Sequence, residues 1–101
     1  MVIIERQIQK VRSGKWTELE DLDKQFTAVE SRLGFPPKRR CRSLVGGHTT
    51  DTLIIERQWE SFAAVEAAYE TAIANTEHQA LSQSLEPIIE SQQIEFYLPL
   101  A

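Results

Sequence analysis

Apolar and polar positions alternate along this chain with two distinct periods, and the switches between them mark its elements. Val2 to Val11 is rich in Ile and Val and begins without a helix-capping residue, which predicts a strand. Ser13-Gly14 breaks it. Trp16, Leu19, Leu22, Phe26, Val29 and Leu33 then recur at spacings of three and four, one apolar stripe on a long helix whose other face carries Glu18, Asp21, Lys24, Gln25 and Arg32. Gly34 suits a left-handed C-cap, and Pro36-Pro37 forbids continuation. Arg39 to Val45 reads as a second strand, Gly46 to Asp51 as a turn-rich link, and Thr52 to Trp59 as a third, β-branched strand completing a hairpin. Ser61 is a candidate N-cap for a helix with the stripe Phe62, Val65, Tyr69, Ala72 and Ile73. Asn75-Thr76 interrupts that helix and caps another, with Leu81, Leu85 and Ile88 on one face and Pro87 ending or distorting its last turn. Ile94 to Leu98 alternates cleanly and predicts a final strand.

The order β-α-β-β-α-β is that of a ferredoxin-like α+β domain: a four-stranded antiparallel sheet with helices on one face, here one domain over 1–101. A short repeat agrees with it. Ile3-Ile4-Glu5-Arg6-Gln7 returns as Ile54-Ile55-Glu56-Arg57-Gln58, on the two strands that this fold sets side by side. Alternation divides the first strand into Val2, Ile4, Arg6 and Ile8 against Ile3, Glu5, Gln7, Gln9 and Val11. The first set is the more apolar and is expected to pack on the helices. That choice leaves Glu5 and Glu56 on the open face and turns Arg6 and Arg57 toward the helices, where nothing in the sequence accounts for them.

Composition narrows the function classes. With 101 residues, 42% hydrophobic and 26% charged, the chain has room for one ordinary core. No apolar run approaches the roughly 20 residues needed to cross a bilayer, and the N-terminus lacks the features of a signal peptide. A lone Cys41 makes neither an internal disulfide nor a zinc cluster. A cytoplasmic protein without structural metal is expected. The net charge of −4 argues against nucleic acid as the main partner. Lys38-Arg39-Arg40-Cys41-Arg42 is nevertheless a basic cluster, either a charged edge strand that resists aggregation or an anion-binding patch. The third strand has no stacking ring before Trp59, unlike an RNA recognition motif.

The run from Ile54 through Phe62, the small-residue helix after it, and Asn75-Thr76-Glu77-His78-Gln79-Ala80-Leu81 resemble the dimeric α/β-barrel superfamily. NIPSNAP-like proteins and the antibiotic-monooxygenase-like group are the most similar within it, and the opening strand with Ser13-Gly14-Lys15 also resembles the NIPSNAP-like start. The resemblance implies two sheets packed open face to open face in a homodimer, and a ligand pocket between the open sheet face and the helices. It implies a range of activities that includes cofactor-independent oxygenases, haem-degrading enzymes, lactone isomerases and proteins without known activity. The haem-degrading pattern fails here. Its first-strand asparagine falls on Arg6, its tryptophan on Ala68 or Tyr69, and its axial histidine near Leu81 or Ser82. No cofactor is expected.

His78 is the first candidate for a general base, since imidazole titrates near neutrality and some relatives carry a histidine thereabouts. A half-exposed helix-start histidine without chemical duty is the competing reading. His48, in a glycine-rich turn, is expected in solvent. Glu5 and Glu56 are candidates for a carboxylate pair facing the barrel interior. Trp59 and Tyr97 are candidates to line a pocket, and Arg42 or Arg57 to hold an anionic group. Core or interface aromatics and a cross-strand ion-pair network explain the same residues. Two functions remain open: a small-molecule binder or cofactor-independent monooxygenase-like enzyme, and a non-catalytic homodimer with a binding or structural role. Apolar residues on the open face, expected to include Ile3, Val11 and Ile54, with Ile94, Phe96 and Leu98 added if the register of the last strand turns them outward, predict an obligate homodimer.

Overall fold

A computed structural model describes all 101 residues. The elements follow in the order β1 (Ile3–Val11), α1 (Trp16–Arg32), β2 (Lys38–Arg42), β3 (Thr52–Trp59), α2 (Phe62–Ala74), α3 (Thr76–Leu85) and β4 (Ile89–Tyr97). The strands form one sheet in the order β2-β3-β1-β4 with every neighbour antiparallel. This is the ferredoxin-like α+β fold, with its second helical segment split in two. No helix is long and apolar enough to cross a membrane.

The helix ends obey local chemistry. Gly34 takes φ +83° after α1, and the Gly34 and Phe35 amides donate to the carbonyls of Ser31 and Glu30, closing the helix with a Schellman pair. The Ser61 hydroxyl accepts from the Ala64 amide at the start of α2. The Asn75 side chain accepts from the His78 amide and starts α3, while its own amide donates to Ala72. The α3 helix stops at Leu85, before Pro87, as a ring without an N–H requires. Ile88 lies beyond that end, buried, its amide bonded to the Leu85 carbonyl.

Two strand boundaries differ from the sequence pattern. β2 ends at Arg42 instead of Val45: the chain turns away toward Gly46 (φ +136°), and Leu44 and Val45 stand in solvent. β4 begins at Ile89, five residues before the alternation becomes visible, because Glu90-Ser91-Gln92-Gln93 carries no apolar residue to reveal it. A bulge at Glu90 shifts the β1–β4 register, with Val11 opposite Ile89 and Lys10 opposite Ser91.

The larger correction concerns the faces of the sheet. Ile3, Glu5, Gln7, Gln9 and Val11 turn toward the helices, and Ile4, Arg6, Ile8 and Lys10 form the open face. On β3 the helix-facing residues are Leu53, Ile55, Arg57 and Trp59, leaving Ile54, Glu56 and Gln58 open. Ile54 is therefore on the open face as expected, whereas Ile3 and Val11 are core residues. The reversal follows from β3, whose apolar residues favour one face clearly, and from hydrogen-bond partners that allow polar residues of β1 to be buried.

Along β1 the covered row thus reads apolar, three polar residues, apolar. The core divides in the same way. Val11, Leu19, Leu22, Val29, Leu53, Ile55, Leu81 and Ile88 form one apolar cluster. Ile3, Trp59, Val65 and Ala68 form a second. Glu5, Gln7 and Gln9 separate the β1 members of the two clusters.

Candidate functional site

The polar break in the core opens into a cavity of about 190 Å³ between the covered face of the sheet and the three helices. Leu19, Phe26, Phe35, Leu53, Ile55, Ala72, Ile73, Leu85 and Ile94 supply its apolar wall. Gln7, Gln9, Asp23, Glu30, Lys38, Arg57, Tyr69, His78, Ser82 and Gln92 supply polar groups. A mostly apolar hollow with a few convergent polar groups is what a small-molecule site requires.

A buried chain of charges runs along its floor. Arg57 Nη2 meets Glu30 Oε1 at 2.5 Å, and the Arg57 Nε–H donates to the Pro36 carbonyl at 3.2 Å. Lys38 joins the same Glu30 oxygen at 3.0 Å and Asp23 at 2.7 Å, and Arg40 reaches Asp23 at 3.4 Å. On the other side Arg57 Nη1 is 4.0 Å from Glu5 Oε1, and the two side chains are only 2% and 1% exposed. Glu5 also accepts from the Trp59 indole N–H and the Gln7 amide, each at 2.9 Å, and from the Tyr69 hydroxyl. Buried ions persist only when paired and hydrogen-bonded. With Glu20, which meets Arg40 at 2.6 Å, four carboxylates (Glu5, Glu20, Asp23, Glu30) stand against three cations (Lys38, Arg40, Arg57), so the cluster has no cation in excess.

Titration follows from these surroundings. Burial, followed by the Glu5 contact, pushes the Tyr69 phenol well above its ordinary range, which keeps its proton in place. Burial lowers the His78 pKa from 6.5; the Glu30 charge opposes that shift and the Arg57 charge adds to it. Burial thus favours the neutral form of the His78 imidazole. Its ring packs edge-on to Phe26 at 5.6 Å, and Nδ1 lies 3.5 Å from the Ser82 hydroxyl.

The residues singled out from sequence have separate fates. His78 and Arg57 line the cavity together. Glu5 lies behind that wall, holding Tyr69. Glu56 is on the other face, 3.6 Å from Arg6, so Glu5 and Glu56 form no carboxylate pair. In an antiparallel pairing Glu5 falls opposite Arg57, and Arg6 opposite Glu56. Trp59 is 3% exposed and positions Glu5 without lining the cavity. Tyr97, opposite Ile4 on the open face, bonds to Glu95 and lies under Arg6, away from the cavity. Arg42 stacks 4.2 Å above Trp16 and donates to the Thr50 carbonyl at 2.8 Å, in a surface groove. The basic cluster is an edge strand whose Lys38 and Arg40 turn inward to acidic residues of α1. No three or more His, Cys, Asp or Glu side chains gather in a way that could hold a metal ion.

Sequence reasoning missed Tyr69, Glu30 and Asp23 as site residues, and had Lys38 only within the basic cluster. One signal was available: Glu30 and Asp23 lie one and four positions from members of the α1 stripe, polar residues at the border of an apolar face.

No protein-family model matches the sequence, and no curated protein is similar to it. Solved structures give a clear result. A NIPSNAP family protein from Agrobacterium tumefaciens superimposes with a TM-score of 0.84 at 22% identity, over 98% of this chain and 86% of that one. A NIPSNAP domain protein from Burkholderia xenovorans gives 0.85 at 18% identity, over 98% and 95%. The fold is that of the NIPSNAP proteins. SnoaB, a cofactor-independent oxygenase from Streptomyces nogalater, follows at 0.70 and 13% identity, over 97% and 92%. The oxygenase and the NIPSNAP proteins thus share one architecture with this chain.

Proposed function

We propose that the chain binds a compact, uncharged or weakly acidic small molecule in the cavity, and that His78 removes a proton from it, as the first step of a cofactor-independent oxygenation. The observation that carries this reading is the His78 imidazole at the wall of a cavity whose surface is largely apolar. An engineered cavity of about 150 Å³ holds benzene, so a single ring with one hydroxyl or carbonyl is the right size. The cluster beneath has no cation in excess to attract an anion. In such chemistry the deprotonated substrate itself reduces oxygen, and the protein contributes the base, the orientation and the exclusion of water. The oxygenase chemistry of SnoaB on the same fold supports this reaction class.

Calorimetry with 4-methylphenol, and oxygen uptake with a panel of single-ring hydroquinones, test the proposal. Binding should be lost in Ala72→Phe, which fills the cavity, and oxygen uptake should fall by about 10²–10⁴-fold in His78→Gln. Binding without protein-dependent oxygen uptake would favour a non-catalytic binder. The mutual pairing of Glu5, Arg57, Glu30 and Lys38 suits that second reading, since a purely structural network has the same form.

We also infer a homodimer through the open sheet face. Ile4, Ile8 and Ile54 stand there half-buried in a single chain, and Arg6 Nε is buried without a hydrogen-bond partner. A twofold contact covers such a face most simply, with on the order of 2,000 Å² buried in total. Ile54→Lys should yield monomers or prevent folding, as read by sedimentation. A folded wild-type monomer at micromolar concentration would overturn the inference.

A further inference from the structure

The cavity wall continues past its mouth. Ile73 and Ile94 line the cavity yet are 70% and 40% exposed, so each belongs both to the interior and to the surface. Phe96 extends the apolar surface beyond them. Its ring lies 6.4 Å from Tyr69, a cavity residue, and 5.8 Å from Phe62, which is largely exposed. Ile94 and Phe96 are on the helix-covered face, opposite Gln7 and Glu5, but their exposure shows that α2, which meets Phe96 through Phe62 and Tyr69, covers the edge strand only in part. The result is an apolar track from the cavity, across β4, to the first turn of α2.

We propose that the ligand is a head-and-tail amphiphile: a single-ring polar head in the cavity and an apolar tail lying on Ile73, Ile94, Phe96 and Phe62. This rests on the cavity reading above and names the substrate class for that site. Two observations commit the track to a ligand tail instead of a protein partner. It is continuous with the cavity through shared residues, and a cavity of about 190 Å³ lies below the roughly 300–1,000 Å³ of usual ligand sites. A ligand of ordinary size must therefore extend out of it, and the track is the apolar surface it meets.

The test compares 4-methylphenol, 4-butylphenol and 4-hexylphenol by calorimetry, below their micellar concentrations. Affinity should rise roughly twofold to fourfold per methylene, the lower figure for a half-buried chain. Phe62→Gln and Phe96→Ser should flatten that rise while leaving 4-methylphenol binding unchanged. Val45→Ser, at a fully exposed apolar position outside the track, should change nothing. If 4-methylphenol binds but longer chains bind no tighter, the tail inference falls and the cavity reading stands. A rise that survives both aromatic substitutions also overturns it, because the tail then lies elsewhere. Failure of every phenol to bind removes both readings. A change of oligomeric state in Phe62→Gln or Phe96→Ser would identify the track as a contact between copies and overturn the proposal.

Discussion

Glu5–Arg57 and Arg6–Glu56 are pairs of the same two residue types, one position apart on the same two strands, yet they stand in different media. The first lies under the helices with both side chains almost wholly buried. The second lies on the open face at 3.6 Å, with side chains 43% and 32% exposed in a single chain. Two tyrosines repeat the contrast. Tyr69 and Tyr97 each bond to a glutamate and each has a raised pKa, but burial dominates at Tyr69 and the Glu95 hydrogen bond at Tyr97. On the covered side desolvation sets the chemistry, and each charge requires a partner. On the open side water supplies most of what a partner would.

The largest effect should follow from breaking the covered side. Arg57→Met removes the guanidinium from Glu30 and leaves that carboxylate with Lys38 alone, so a loss of about 3–5 kcal/mol is expected in urea denaturation. Arg6→Met on the open face should cost less than about 1 kcal/mol when the single chain is measured, with that face in water. Equal losses for the two substitutions would dissolve the comparison.

A pH series sharpens it. The folded pKa of His78 lies below its unfolded value near 6.5. As pH falls below about 6.5 the unfolded chain takes up a proton that the folded chain refuses, so stability drops on acidification. His78→Gln should remove its share of that slope, measured as the difference in denaturation midpoint between pH 7.5 and pH 5.5. A slope identical to wild type would mean that His78 titrates as a solvated group.

The smallest effect belongs to the open pair. A double-mutant cycle on Arg6 and Glu56 should give a coupling of about 0.2–1 kcal/mol. It should shrink in 1 M salt, where the Debye length is about 3 Å. The cycle is best run under conditions that keep one oligomeric state.

Much of the architecture was legible because periodicity is a strong signal where apolar residues are dense. The α1 stripe, the Ser61 and Asn75 caps and the β3 run each marked their element. The facing of β1 was not legible, because three of its five covered residues are polar and binary patterning assigns polar residues to water. That same misfit is the trace of the site: a strand with Glu5, Gln7 and Gln9 in its covered row interrupts a core that would otherwise be continuous. His78 and Arg57 were visible as residue types suited to chemistry. Their meeting in one cavity depends on a register that no local pattern specifies. Asp23 and Glu30 looked like ordinary surface charges and Lys38 like one member of a basic cluster, since only the fold brings β2 against α1.

Asn75 has a mechanical meaning beyond capping. One extended residue ends α2 and starts α3, with its backbone serving one helix and its side chain the other. No rigid helical turn is shared across it, so α3 is hinged to α2 at a single residue. Both ends of α3 are tied: Arg32 of α1 pairs with Glu77 and the Gln79 side chain donates to the Ile73 carbonyl at the first turn, while Leu85 and the buried Ile88 hold the other end. The Asn75 cap and these ties together set the His78 imidazole against Phe26 on the cavity wall. Asn75→Ala, which takes the acceptor from the His78 amide, should therefore speed hydrogen exchange first in the opening turn of α3, with the amides of β1 and β3 protected longest.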